Sequence, residues 1–346
     1  MPRKKQSNDP AHRETDKIIA DLEKKLKSTY SRAAQETQEK LDKYLSAFVR
    51  KDEAKRKLLN AGEITKQEYN KWRTGQIMIG KRWEEMRDSL AQDMLNTDKI
   101  ASQIIQTGRA DAYALNHNYA TFEVEKSSLV DTSYTLYDRR TVERLIKDEP
   151  TLLPSLNPKG KTAREIREGK ILRWNQKHIT AEVTQGILQG ESIDKIARRM
   201  RNVASMDYSA SVRNARTAIT GAQNAGRQDG YERAEEMGIK GKKQWLATMD
   251  SRTRHWHVEL DGFSVETDED FENEYGKIEY PGDPSADPAN VYNCRCTMIY
   301  VLEGLDDSKR EWFESRSNEA LGDITWEEWK EQHAEAQAER GYRRGS

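Results

Sequence analysis

From Asp16 to Val49 the apolar residues fall on one stripe: Ile19, Leu22, Leu26, Tyr30, Ala33, Leu41, Tyr44 and Phe48, with Thr37 in the one polar gap. The steps run three, four, four and then repeat. A repeat of about eleven residues follows a straight helix more closely than a left-handed heptad. Lys and Glu fill the other faces, which predicts an amphipathic helix of a bundle rather than a free coiled coil. Gly62 breaks the pattern, and Thr65 then stands three residues before Glu68, the signature of a capping box. Trp72, Ile79, Trp83, Met86, Leu90 and Met94 recur at helical spacing and read as core. A further helix is predicted over 97–119. The aromatic stretch SYTLYDRRTVERLI follows, and then Pro150, Pro154 and Pro158 mark a loop between two halves of the chain.

In ILRWNQKHITAEVTQGILQGESIDKIARRM, Gly190 ends one helix and Ser192 caps the next, on which Ile193, Ile196, Ala197 and Met200 share a face. Two helices packed across a short glycine turn account for this pattern more simply than a DNA-reading helix-turn-helix. The helix predicted over 208–237 is rich in Ala, Gly, Asn and Thr, and small residues let another backbone come close, so it is expected to be central and buried. After Gly238 the texture changes. KKQWLATMD alternates as a strand, SRTRHWHVELDG reads as a short helix closed by Asp261-Gly262, and FSV as a brief strand. YGKIEYPGDPSADPANVY is a turn-rich loop, and RCTMIYVLEG a strand. In the tail, Thr325 and Glu328 form a second capping box, and Trp326 and Trp329 share a face suited either to a partner or to the protein's own domain. The predicted fold class is α+β. Predominantly α-helical N-terminal and middle regions with long amphipathic helices precede a small α+β C-terminal module, with boundaries at 1–130, 131–240, 241–304 and a helical tail at 305–346.

Composition sharpens this picture. Of 346 residues, 34% are charged and 35% hydrophobic, and the mean hydropathy is -1.00. Long, charged helices satisfy both figures. With 58 basic and 59 acidic residues the net charge is -1, so no whole-molecule field draws the chain to nucleic acid. No apolar run approaches the roughly 18 residues of a membrane span. The opening MPRKKQSNDPAHRETDK lacks the apolar core of a secretory signal. A soluble protein of a reducing cytosol is expected.

The only two cysteines stand one residue apart, in Asn293-Cys294-Arg295-Cys296. On a strand they point to the same face, where two thiolates reach one zinc ion. His257 is the third ligand in that reading, and Asp250, His255 or Asp283 the fourth. The spacing is not the common Cys-x2-Cys. A metal-free reading stands beside it: two small side chains filling a core against Leu260 and Trp245, with His257 bonded to a backbone carbonyl and Asp250 capping a helix near Ser251. Either a structural zinc or a hydrogen-bonded network staples a module this small. A Cys-His pair with Asp261 orienting His257, and a metal-dependent nuclease, are the two catalytic readings. The chain has no HExxH and no glycine-rich phosphate loop, and an enzyme is not expected.

Three blocks occur in order: RNARTAITGAQNAGRQDGYERA, then KQWLATMDSRTRHWHVELDG, then YPGDPSADPANVYNCRCTMIYV. Together they resemble the phage Mu protein F-like family of minor head proteins, also called head-morphogenesis proteins, over roughly residues 170 to 304. The resemblance implies a minor capsid protein of a tailed phage or prophage. It would associate with the portal protein during head assembly and aid genome packaging or delivery, with scaffold or major capsid protein as further partners. It would reside in the virion, in the head interior or at the portal vertex, and in the host cytoplasm during assembly. No membrane role and no established catalysis come with it. Two alternatives remain at this point. One is a non-specific DNA-binding internal head protein using the runs PRKK, RKDEAKRK and IARRMRN. The other is a metal-dependent hydrolase or nuclease.

Overall fold

The computed structural model describes residues 9–128, 130, 132, 134–148, 161–205, 207–302 and 324–344. The proline-bearing loop, the PRKK run and the side chains of Ile193 and Met200 lie outside the described residues. Helix α1 (Pro10–Asn60) extends the predicted stripe at both ends. Leu22, Leu26, Tyr30, Leu41, Tyr44 and Phe48 are buried on it, as is Thr37 in the gap. Asp9 caps its start, accepting the His12 amide at 2.9 Å.

Helix α2 (Lys66–Ile77) begins with the predicted capping box, both of whose bonds form. Gly80, with φ +93, then turns the chain into α3 (Lys81–Ser128). Two expectations change here. Ile79 sits in that turn, 67% exposed, rather than in the core. The break expected at Thr97 does not occur, because its hydroxyl donates back to the Asp93 carbonyl at 2.9 Å instead of capping a new helix. Helices α4 (Arg139–Asp148), α5 (Lys161–Leu188), α6 (Ile193–Ser205) and α7 (Asp207–Glu236) follow. Gly190, at φ +69, makes the turn between α5 and α6.

The described residues divide into two compact units. One is drawn from Glu23–Ile104 and Leu156–Val212. Its core joins Leu41, Tyr44, Phe48, Trp83, Leu90 and Met94 to Ile179, Val183, Ile187 and Ile196. Within it the fully buried Arg73 pairs with Asp52 at 3.1 Å.

The other unit is drawn from Met1–Leu22, Ile105–Ser155 and Arg213–Ser346. Here α7 packs backbone to backbone on α3, as its small residues predict. A Cβ at Gly226 would meet the Tyr113 carbonyl and come within 3.1 Å of the His117 nitrogen. The small module then builds on α7. Strand β1 (Gly241–Leu246) pairs antiparallel with β2 (Ser264–Glu266) and with β5 (Thr297–Leu302), giving the order β2-β1-β5. Between them lie α8 (His255–Glu259), the one-turn α9 (Pro288–Val291) and a hairpin absent from the sequence reading, β3 (Phe271–Asn273) with β4 (Gly276–Ile278). Last comes α10 (Trp326–Arg344). Its capping box forms, with the Thr325 amide donating to Glu328 at 2.7 Å. Trp326 and Trp329 bury against Tyr119, Phe122 and Ala11, so this face packs on the chain's own unit. The fold is α+β and mostly helical.

Candidate metal centre

Three backbone devices carry His257, Cys294 and Cys296 to one point. Beyond β1, Asp250 starts a turn by accepting the Arg252 amide at 2.9 Å, and α8 then presents His257. On the other side Asp287 caps α9 through the Ala289 amide at 2.8 Å, with Pro288 at the first helical position. Asn293 follows in the left-handed region at φ 57, which Asn tolerates better than most residues. Its amide donates to Thr217 Oγ1 at 3.1 Å. Strand β5 begins only at Thr297, so the cysteines sit in an extended lead-in rather than on the strand, contrary to expectation. The reason is that the Cys296 carbonyl is taken by Asn224 Nδ2 of α7 at 3.1 Å rather than by a neighbouring strand. Both sulfurs still reach the same pocket.

Within it, His257 Nδ1 lies 3.7 Å from Cys294 Sγ and 3.6 Å from Cys296 Sγ. The three donor atoms all fall within 4.8 Å of one another. His257, Cys294 and Cys296 are at most 2% exposed; the cysteines pack with Trp245, Leu260, Phe271 and Ile278, and the imidazole lies edge-on 5.3 Å from the Trp245 ring. The sulfurs titrate as a pair. The hydrogen bond between them and the neighbouring imidazole hold Cys296 well below the usual thiol range, against the effect of burial. The same hydrogen bond, with burial, pushes Cys294 well above it.

None of the residues considered as a fourth ligand joins this group. Asp250 grips Arg295 through two contacts of 2.5 and 2.7 Å, which hold its carboxyl well below the usual range. Its partner is the residue between the two cysteines, so this clamp fixes the cysteine lead-in to the turn before α8. His255 is exposed and faces Glu274 at 3.2 Å. Asp283 is buried but accepts from the Ser285 amide and hydroxyl, each at 2.7 Å. Asp261 accepts the Ala247 amide at 3.0 Å, while His257 Nε2 has no hydrogen-bond partner. Asp261 therefore does not orient the imidazole.

The sequence reading missed the support beneath the site. Gln223, Asn224, Arg227 and Gln228 form a polar row on α7, spaced as one helical face. Asn224 holds the Pro281 carbonyl at 2.9 Å, and Arg227 the Met298 carbonyl at 2.8 Å. Gln228 holds the Thr267 carbonyl at 2.8 Å. The signal was present: four long polar side chains on one face of an otherwise Ala- and Gly-rich helix must meet buried acceptors.

Residues 177–299 match the family described as Phage Mu protein F like protein. Over 319 residues the chain is 23% identical to the minor head protein GP7 of Bacillus phage SPP1, covering 92% of this chain and 94% of that one. A shorter stretch of 152 residues, 44% of the chain, is 36% identical to 31% of a protein of Enterococcus faecalis (strain ATCC 700802 / V583) named "NAD(+)--arginine ADP-ribosyltransferase EFV". The uncharacterized protein YqbB of Bacillus subtilis (strain 168) is 26% identical over 152 residues, 41% of this chain and 48% of that one. The chain thus spans less than half the length of these last two relatives and nearly all of the first. No solved structure matches it. Residues 177–299, which hold α7 and the three-donor pocket, are a Mu F-like segment within a chain that resembles a phage minor head protein along nearly its whole length.

Proposed function

We propose that this chain is a minor capsid, or head-morphogenesis, protein of a tailed phage or prophage that associates with the portal during head assembly, in a structural rather than a catalytic role. The observation that carries this reading is the alignment with the SPP1 minor head protein, which takes in 92% of one chain and 94% of the other. Such coverage includes the helical regions outside the Mu F-like segment, so the likeness is of whole proteins and not of one shared module. The location that follows is the virion, in the head interior or at the portal vertex, with the host cytoplasm as the site of assembly. Scaffold and major capsid proteins are the further partners.

Other readings have less support. In the basic runs that motivated DNA binding, Arg199 is engaged by Glu191 at 2.6 Å and Glu182 at 3.1 Å. Arg56 faces Asp52 at 3.7 Å. Cations so paired have less to offer a phosphate backbone. The transferase named in Enterococcus shares only 31% of its length with this chain, and its activity is not carried over. No helix among the described residues is long and apolar enough to cross a membrane.

The test is co-expression with the portal protein of the same phage, followed by native mass spectrometry. A defined complex, a few copies per portal ring, is the expected result. Absence of any complex, together with absence from purified particles, would overturn the proposal.

A further inference from the structure

We propose that His257 Nδ1, Cys294 Sγ and Cys296 Sγ bind one zinc ion, with a fourth, non-protein ligand completing the tetrahedron. This inference does not rest on the head-protein reading.

Distance carries the first part of the argument. With Zn–S of about 2.3 Å and Zn–N of about 2.0–2.1 Å, a tetrahedral ion sets sulfur and nitrogen roughly 3.6 Å apart. The two separations present are 3.6 and 3.7 Å. Both match an edge around a central ion, although each is also within reach of a single sulfur hydrogen bond. The third separation, between the sulfurs, falls within the same 4.8 Å envelope.

Donor chemistry carries the second. Nδ1 confronts two sulfurs at once. A protonated Nδ1 has one hydrogen to give, whereas its lone pair and two thiolate lone pairs converge naturally on a cation. Two thiolates and an imidazole suit zinc better than magnesium or calcium, which take oxygen ligands.

Surroundings carry the third. The Asp250–Arg295 clamp fixes the chain between the two sulfurs, the kind of outer support that holds ligands in place. His257 is 1% exposed, with Nε2 unpartnered. A buried imidazole held only by two sulfurs is poor core filling, since it places polar nitrogens beside the Trp245 ring. As a ligand, one of those nitrogens has a bonding role. The proposed fourth position is non-protein because Asp250, Asp283 and His255 are already held elsewhere.

Full-length protein purified without chelator is to be measured for metal and examined by X-ray absorption at the zinc edge. The expected result is about one zinc per chain with two sulfur neighbours. Replacement by cobalt should give a sulfur-to-cobalt charge-transfer band, and Cys294→Ser/Cys296→Ser should abolish both band and zinc. Should the double variant fail to fold, the sulfur count in the unaltered protein decides alone. Zinc below about a tenth of an equivalent after incubation with zinc and reductant would overturn the proposal, as would zinc with only nitrogen and oxygen neighbours.

Discussion

At the scale of single residues, the buried charges and histidines of the unit that carries the small module set its sensitivity. Arg227 is fully buried, 2.6 Å from Asp9 and 3.1 Å from the Asn116 side-chain oxygen. Asp9 also caps α1. Asp9→Ala removes both contacts and leaves a buried guanidinium without its carboxylate, for an expected loss of about 3–5 kcal/mol in urea unfolding. Asp9→Asn keeps an acceptor for the cap, so a loss nearly as large in that variant would assign most of the cost to the charge. His117 tests a different property. It stacks on Tyr137 at 4.0 Å, meets the Tyr134 hydroxyl at 2.5 Å and lies 3.0 Å from Asp229 without the alignment of a full hydrogen bond. Burial lowers its pKa, opposed by Asp229. The folded value is therefore below the unfolded one of about 6.5. The unfolded state takes up the proton first, so the stability is complete above that pH and declines as pH falls. Melting midpoints recorded from pH 8 to pH 5.5 should drop below about pH 6.5, and less steeply in His117→Gln. Equal slopes would contradict the assignment.

At the scale of elements, the contacts of α7 and α10 are the ones to perturb. Gly226→Ala places a methyl group against the Tyr113 carbonyl and the His117 nitrogen of α3. These are backbone atoms, with no side chain free to swing aside, and overpacking should cost about 1–3 kcal/mol. On α10, Trp329 donates to Glu125 at 2.7 Å and lies 5.7 Å from the Phe122 ring. Trp329→Ala should destabilise by about 3–5 kcal/mol and make the segment after residue 324 the first site of limited proteolysis; unchanged cleavage would refute the docking. These elements also mark what the sequence made legible. The stripe of α1, both capping boxes and the small-residue face of α7 are local patterns, and local patterns can be read. The hairpin β3–β4 could not be, because three residues per strand are too few for alternation to register. Nor could the occupant of the Trp326–Trp329 face, since Tyr119 and Phe122 are distant in sequence. At the site, residue types located His257, Cys294 and Cys296, but the strand assumed for the cysteines gave way to a lead-in held by Asn224. That is a tertiary contact with no local signature.

At the scale of the whole molecule, the segment that matches the family and the unit that folds are not the same length. The match covers residues 177–299, yet the face of α7 that carries the module relies on the start of α1 and on α3. Gly226 approaches Tyr113 and His117, and Gly230 approaches Ala120, where an added Cβ would be 2.7 Å from the existing one. Asp229 accepts from the Tyr113 hydroxyl at 3.0 Å. Cut away from residues 9–128, the segment would expose this face to water and leave Arg227 without Asp9. We expect a fragment of residues 177–302 to lack a cooperative thermal transition and a structured near-ultraviolet circular dichroism spectrum, with or without added zinc. Co-expression with residues 1–176 should restore both, because the missing contacts are non-covalent and lie wholly on that piece. A fragment that melts cooperatively at the midpoint of the intact chain would instead show that the module needs no support from α3. In that case the long helices would serve partners rather than the fold, and the full-length likeness to the SPP1 protein would need a functional rather than a structural cause.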